Sequence, residues 1–188
     1  MPPPPGIDRW SALLAYDGPA RELLAQLKYR NCRTAVAWLA AGMAALVASW
    51  GNAASWGNAA SWGNAASWGN AVQPHLITWA PTSPARARKR GFDQAELLAH
   101  ALARRLGLPC LPLLVRLPGP PQTGHSRAER RYLPAFTLAP TRSPARAPPG
   151  VLLVDDIATT GATLSAAARV LRAAGANKVS AVVAGRRL

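Results

Sequence analysis

The stretch VLLVDDIATTGAT, residues 151–163, restricts the fold more than any other part of the chain. Four consecutive apolar residues with no polar alternation describe a strand covered on both faces, as in a parallel sheet sandwiched between helices. Each fully buried Val or Leu there contributes roughly 1.5–3 kcal/mol, so the strand is expected at the centre of its sheet. Behind it stand Asp155 and Asp156, two of only 8 acidic residues in a chain with 22 Lys and Arg. Adjacent carboxylates repel, so a cation or a set of hydroxyl groups is expected beside them. The residues that follow, Thr159, Thr160, Gly161, Ala162 and Thr163, let the backbone curl into a helix expected to begin at about Thr163. Backbone N–H groups then converge at a helix N-terminus, which carries a partial positive charge, and form an anion cradle. One strand end thus combines an anion site with a diol or metal site, the two features that a ribose 5-phosphate requires. Successive strand residues point to opposite faces, so both aspartates meet one ligand only if the backbone begins to turn at Asp156.

The rest of the chain supports this architecture. Leu23, Leu24 and Leu27 recur at helical spacing, and a second helix is expected over 35–48. HLITWAP reads as a strand. DQAELLAHALARRLG reads as a helix with Asp93 and Glu96 as a capping box and Gly107 as its C-cap. CLPLLVRL is a further apolar run, ATLSAAARVLRAAG a helix closed by Gly175, and KVSAVVAG a last strand. Strands alternating with helices predict an α/β fold with a mostly parallel central sheet flanked by helices. At 188 residues, one domain is expected over 1–188. It is interrupted at about 49–71 by a tandem SWGNAA repeat carrying Trp50, Trp56, Trp62 and Trp68. Gly-Asn in each unit opposes a continuing helix, and a long surface loop costs little closure entropy, so a low-complexity loop insertion is expected there.

A formal net charge of +14 points to polyanionic or phosphorylated partners. Cys32 and Cys110 are far apart, which suggests neither a zinc site nor a disulfide framework and fits a reducing cytoplasm. The start lacks the charge and apolar pattern of a cleaved signal peptide. The apolar segment 35–50 is shorter than the roughly 20 residues that a bilayer demands, so a buried helix is expected rather than a membrane span.

Two other acidic-pocket chemistries are excluded by sequence. A receiver-type pocket needs a phosphoacceptor Asp on a later strand, and no acidic residue follows Asp156. A P-loop needs G-x-x-x-x-G-K-[ST], which is missing. VLLVDDIATTGAT instead resembles the phosphoribosyl-pyrophosphate (PRPP) signature of type I phosphoribosyltransferases. LLAQLKYRN, RARKRGFDQAELLAHALARRLGLP and PPQTGHSRAERR resemble the ComF branch, competence-associated proteins with that fold.

The resemblance implies that Asp155 and Asp156 are the catalytic pair, holding the ribose hydroxyls directly or through Mg²⁺. It implies that Thr159, Thr160, Gly161, Ala162 and Thr163 wrap the 5-phosphate, and that Arg86, Arg88, Lys89 and Arg90 form a mobile basic loop for pyrophosphate. Implied partners are PRPP or another phosphorylated ribose, with phosphoribosyl transfer to a nitrogen nucleophile. The alternative is non-catalytic: a PRPP sensor, or a protein of DNA uptake that binds single-stranded DNA or competence proteins. Three departures stand out. The branch commonly begins with a Cys-rich segment missing here, Asp93 stands where relatives often have Asn, and Thr159 replaces the acidic residue of purine-salvage relatives, which counts against hypoxanthine or guanine. The chain also shows no clear hood segment for a base.

Overall fold

The computed structural model describes residues 2–30, 33–50, 74–118, 135–140 and 147–187. The tryptophan repeat beyond residue 50, Cys32 and the PPQTGHSRAERR stretch lie outside them. The order along the chain is β1 (Arg9–Ala15), α1 (Gly18–Arg30), α2 (Arg33–Ala48), β2 (Leu76–Trp79), α3 (Pro84–Arg90), α4 (Gln94–Leu106), β3 (Leu114–Arg116), β4 (Phe136–Leu138), β5 (Gly150–Ala158), α5 (Ala162–Ala173) and β6 (Lys178–Arg186). Among the described residues, one parallel sheet has the order β1-β6-β5-β2, and β3 and β4 form a separate antiparallel pair.

The strand predicted to be central is central. β5 pairs with β2 on one side and β6 on the other, and Val151, Leu152, Leu153 and Val154 are all buried. Their side chains feed two cores. Leu152 and Val154 pack with Leu24, Leu39, Met43, Leu98 and Leu102 from α1, α2 and α4. Val151 and Leu153 pack with Leu164, Ala167 and Leu171 of α5 and with Leu113 and Phe136 beside the small β-pair. The result is helix, sheet, helix: a three-layer α/β fold. The 35–48 helix is α2, whose Leu39, Ala40, Met43 and Val47 are buried in the first core. No helix among the described residues is long and apolar enough to cross a membrane.

Three elements depart from the sequence reading. RWSALLA forms β1, the edge strand beside β6, and was not anticipated. The run CLPLLVRL does not form one strand. Cys110 makes a parallel bridge to Ile77 at the free edge of β2, and the chain then leaves the sheet so that Leu114–Arg116 pairs antiparallel with Phe136–Leu138. The basic segment expected as a mobile loop is helix α3, with Pro84 in its first turn and Gly91 at the C-cap in the left-handed region (φ 78°), its N–H donating to Ala87 O. Pro at the start and Gly just past the end are favourable for one reason each: a preset φ and a missing donor, then a backbone free of a Cβ.

Side-chain alternation slips at one row shared by three strands. In β5, Val154 and Ile157 meet the same core although three residues apart, whereas strict alternation would put them on opposite faces. In β6, Ala184 belongs to that core, and a Cβ on the adjacent Gly185 would meet Leu24, Tyr16 and Ile157 of the same side. In β1, Trp10 and Ala12 pack on the α5 side and Leu14 on the other. The ladder pairs Asp155 with Val183 and Ile157 with Gly185, and β1 pairs Ala12 with Val183 and Leu14 with Gly185. Register therefore survives while the faces exchange, at the row that contains Asp156.

Candidate active site

The sheet is parallel, so the carboxyl ends of its strands share one edge, where ligands of open α/β sheets bind. A cavity of about 240 Å³ opens there. β5 supplies Asp155, Asp156 and Ile157; the turn and first residues of α5 supply Thr159 and Thr163. From the far side come Ala80 and Thr82 after β2, Arg86 and Arg90 of α3, Asp93 with Gln94 and Ala95 of α4, and Arg116 of β3.

The backbone does not turn at Asp156 as expected: β5 continues in register to Ala158, and the alternation of faces slips there instead. Asp155 is 6% exposed. Its Oδ1 accepts the Asp156 N–H at 2.8 Å, and Asp156 Oδ1 accepts the Ile157 N–H at 2.7 Å. Burial pushes the Asp155 carboxyl well above the ordinary carboxylate range, and the charge of Asp156 adds to the effect. A carboxylate kept dry beside another is poised to gain from a cation or a hydroxyl donor.

The phosphate-loop residues divide. Thr159 and Thr163 line the cavity, whereas Thr160 does not, and its Oγ1 accepts the Ala162 N–H at 3.4 Å. Gly161 is the N-cap of α5 with φ 75°, a left-handed conformation that a Cβ would strain, and α5 begins at Ala162, one residue before the expected start. The basic set divides as well. Arg86 and Arg90, one helical turn apart on α3, line the cavity; Arg88 and Lys89 do not, and both are exposed.

Among the cavity residues that sequence reasoning missed, Asp93, Gln94 and Arg116 carry charged or amide side chains. From sequence, Asp93 is only a helix cap. Its Oδ1 does accept the Ala95 N–H at 3.0 Å, but its Oδ2 also accepts the Thr82 N–H at 2.7 Å, so one carboxylate joins the β2 exit to the α4 start. Burial raises its pKa against the pull of these N–H donors. Gln94 is buried, its Oε1 accepts from Arg90 Nη1 at 2.9 Å, and its Nε2 has no hydrogen-bond partner among the described residues. Arg116 stacks over Phe136 at 5.6 Å. Burial and then the Arg86 charge lower its pKa, while Asp155 and Asp93 act in the opposite direction. The sequence signal for Asp93 and Gln94 was their place directly after the basic segment; Arg116 carried none.

Three guanidiniums, three carboxylates and the hydroxyls of Thr82, Thr159 and Thr163 thus line one space, with Asp93 among the cations of the far side. Among the described residues no group of three His, Cys, Asp or Glu converges as a metal cage. Mg²⁺ does not need one: it is commonly held by one or two carboxylates, with substrate phosphates supplying further oxygens. The hard oxygen donors of Asp155 and Asp156 fit that mode.

Comparison with known proteins agrees with the geometry. Residues 93–187, half of the chain, match the phosphoribosyl transferase domain. The chain is 38% identical over 91 residues to the competence protein ComFC of Bacillus subtilis, covering 48% of this chain and 35% of the relative. It is 38% identical over 101 residues to ComFC of Streptococcus pneumoniae, covering 53% and 42%. It is 36% identical over 112 residues to competence protein F of Haemophilus influenzae, covering 56% and 48%. The matched stretch spans less than half the length of each of these relatives. With the parallel sheet, the aspartate pair and the threonine loop already in hand, the chain belongs to the phosphoribosyl transferase domain family.

Proposed function

We propose that this protein binds Mg²⁺–PRPP in the cavity at the end of β5 and transfers the phosphoribosyl group to a nitrogen nucleophile. The observation that carries the reading is the set of groups around one space: the carboxylates of Asp155 and Asp156, the hydroxyls of Thr159 and Thr163, and the guanidiniums of Arg86, Arg90 and Arg116. In this reading the aspartates accept hydrogen bonds from the ribose hydroxyls. Thr159, Thr163 and the N–H groups at the start of α5 hold the 5-phosphate. Arg86 and Arg90 meet the pyrophosphate. Asp155 and Asp156 would hold Mg²⁺, which would supply positive charge to offset that of the leaving group.

Transfer breaks the bond from ribose C1 to the pyrophosphate oxygen and forms a bond from C1 to the nitrogen, with the electron pair departing on pyrophosphate. Positive charge develops on the ring as the leaving group separates. The carboxylates of Asp155 and Asp156 stabilise that charge, and the guanidiniums stabilise pyrophosphate. Thr159 offers no base, so the nitrogen's proton passes to the departing pyrophosphate or to water.

A second reading rests on the exposed Arg88 and Lys89, which do not line the cavity, and on the +14 charge. It is binding of single-stranded DNA, in keeping with the competence names of the relatives. One double variant separates the two. Asp155→Asn with Asp156→Asn should abolish Mg²⁺-dependent PRPP binding, yet keep or raise affinity for a short single strand, with its steep salt dependence intact. Unimpaired PRPP binding by the folded variant would refute the site. Wild-type protein that binds DNA and never PRPP would replace the first reading with the second.

A further inference from the structure

We propose that Pro4 is a positioning residue for the phosphate loop, acting through Gly161. The inference rests on the reading of that loop as a phosphate site, and it concerns a segment outside the matched residues 93–187. Residues before β1 lie along α5 from one end to the other. In the last turn of α5, Arg172 Nε donates to Gly6 O at 2.9 Å and its Nη2 to Asp8 Oδ2 at 2.7 Å. The same Asp8 oxygen accepts the Val179 N–H at 2.8 Å, and the Asp8 N–H donates to Val179 O at 2.8 Å. Ile7 is buried in the α5 core, and its N–H closes a turn on Pro4 O at 3.0 Å. The turn brings the buried Pro4 ring against the other end of the helix. A Cβ on Gly161 would stand 2.7 Å from Pro4 Cγ and 3.0 Å from Pro4 Cβ.

Gly161 is the residue whose left-handed φ aims the first N–H groups of α5, between the two cavity-facing threonines Thr159 and Thr163. A glycine in a tight turn has more backbone freedom than any other residue, so its conformation has to be enforced from outside. Proline suits the task, since its own φ is set by its ring and the segment gives up little entropy when it docks. The anion cradle is thereby organised before the phosphate arrives, which is how affinity is gained without an added contact.

The test uses Pro4→Gly, with Pro4→Val as the variant that restores bulk. In the ligand-free protein, amide hydrogen exchange at Gly161, Ala162 and Thr163 should accelerate in Pro4→Gly and return most of the way in Pro4→Val. Calorimetry with ribose 5-phosphate should show affinity falling roughly tenfold, the equivalent of one lost hydrogen bond to a charged group, with inorganic pyrophosphate unaffected. Arg172→Met, which frees the segment at the far end, should give the same selective pattern. Unchanged exchange in Pro4→Gly would overturn the proposal, as would equal weakening of ribose 5-phosphate and pyrophosphate. If exchange responds but wild-type protein binds no ribose 5-phosphate, the hold of Pro4 on the loop stands and the phosphoribosyl reading falls.

Discussion

Two double variants of equal charge distinguish the inner face of α3 from its outer face. Arg86→Ala with Arg90→Ala removes two guanidiniums that line the cavity, and Arg88→Ala with Lys89→Ala removes two positive charges that do not. A hydrogen bond to a charged group is worth about 1.5–3 kcal/mol, so the inner pair should cost about 3–6 kcal/mol toward a ligand bearing pyrophosphate. That corresponds to a rise in Kd of roughly 10²- to 10⁴-fold. The outer pair acts only through a field screened over about 8 Å at physiological salt, and its effect should stay under about tenfold. Arg90 also donates to the buried Oε1 of Gln94 at 2.9 Å, so its loss leaves that oxygen unpaired. Arg86→Ala alone, measured beside the pair together with thermal melting, separates ligand contact from this structural cost. Calorimetry with PRPP, inorganic pyrophosphate and ribose 5-phosphate at fixed salt is the assay. Equal weakening by the two double variants would show that α3 contributes a general field, and the assignment of Arg86 and Arg90 would fail.

Two further substitutions test the acids. Asp155→Asn keeps the acceptor for the Asp156 N–H and removes a charge that burial disfavours. The wild-type carboxyl titrates in the fold above its ordinary 3.8, so the native state holds the extra proton at low pH and loses stability as pH rises through the raised value. The variant should therefore unfold at higher urea than wild type near neutral pH, with the difference shrinking toward about pH 4; a variant less stable near neutrality would refute the buried-charge account. Asp93→Asn keeps one acceptor oxygen where two are used, on Thr82 and Ala95, and should lower stability by about 1–2 kcal/mol. An unchanged urea midpoint would show that the second oxygen contributes nothing.

Central elements were legible because burial on both faces writes itself as unbroken apolar sequence. β5 and β6 follow from VLLV and from the Val-rich end, and α4 from its Asp93 and Gly107 caps. β1 was not legible: it is an edge strand whose interior residues are all only partly buried, so its pattern shows neither a continuous run nor clean alternation. α3 carried readable signals in Pro84 and Gly91, but a run of four cationic residues in seven was read by its resemblance to a loop. Asp155 and Asp156 were identifiable because carboxylates are scarce here. Arg116 was not, since one arginine among many becomes distinctive only when β3 and β4 fold its end of the chain back toward the cavity.

The exchange of faces at the row of Leu13, Asp156 and Ala184 behaves like a crease pressed through several sheets of paper at once. Deleting one residue from β5 at this level would straighten that strand and leave it out of step with β6, which keeps its own crease beside it. The three strands can lose the feature only together, a change that no single insertion or deletion makes. The rim bearing the aspartates is therefore geometrically tied across three strands. Substitutions above the crease can retune what the site holds, while the apolar strands below it keep the partners they already have.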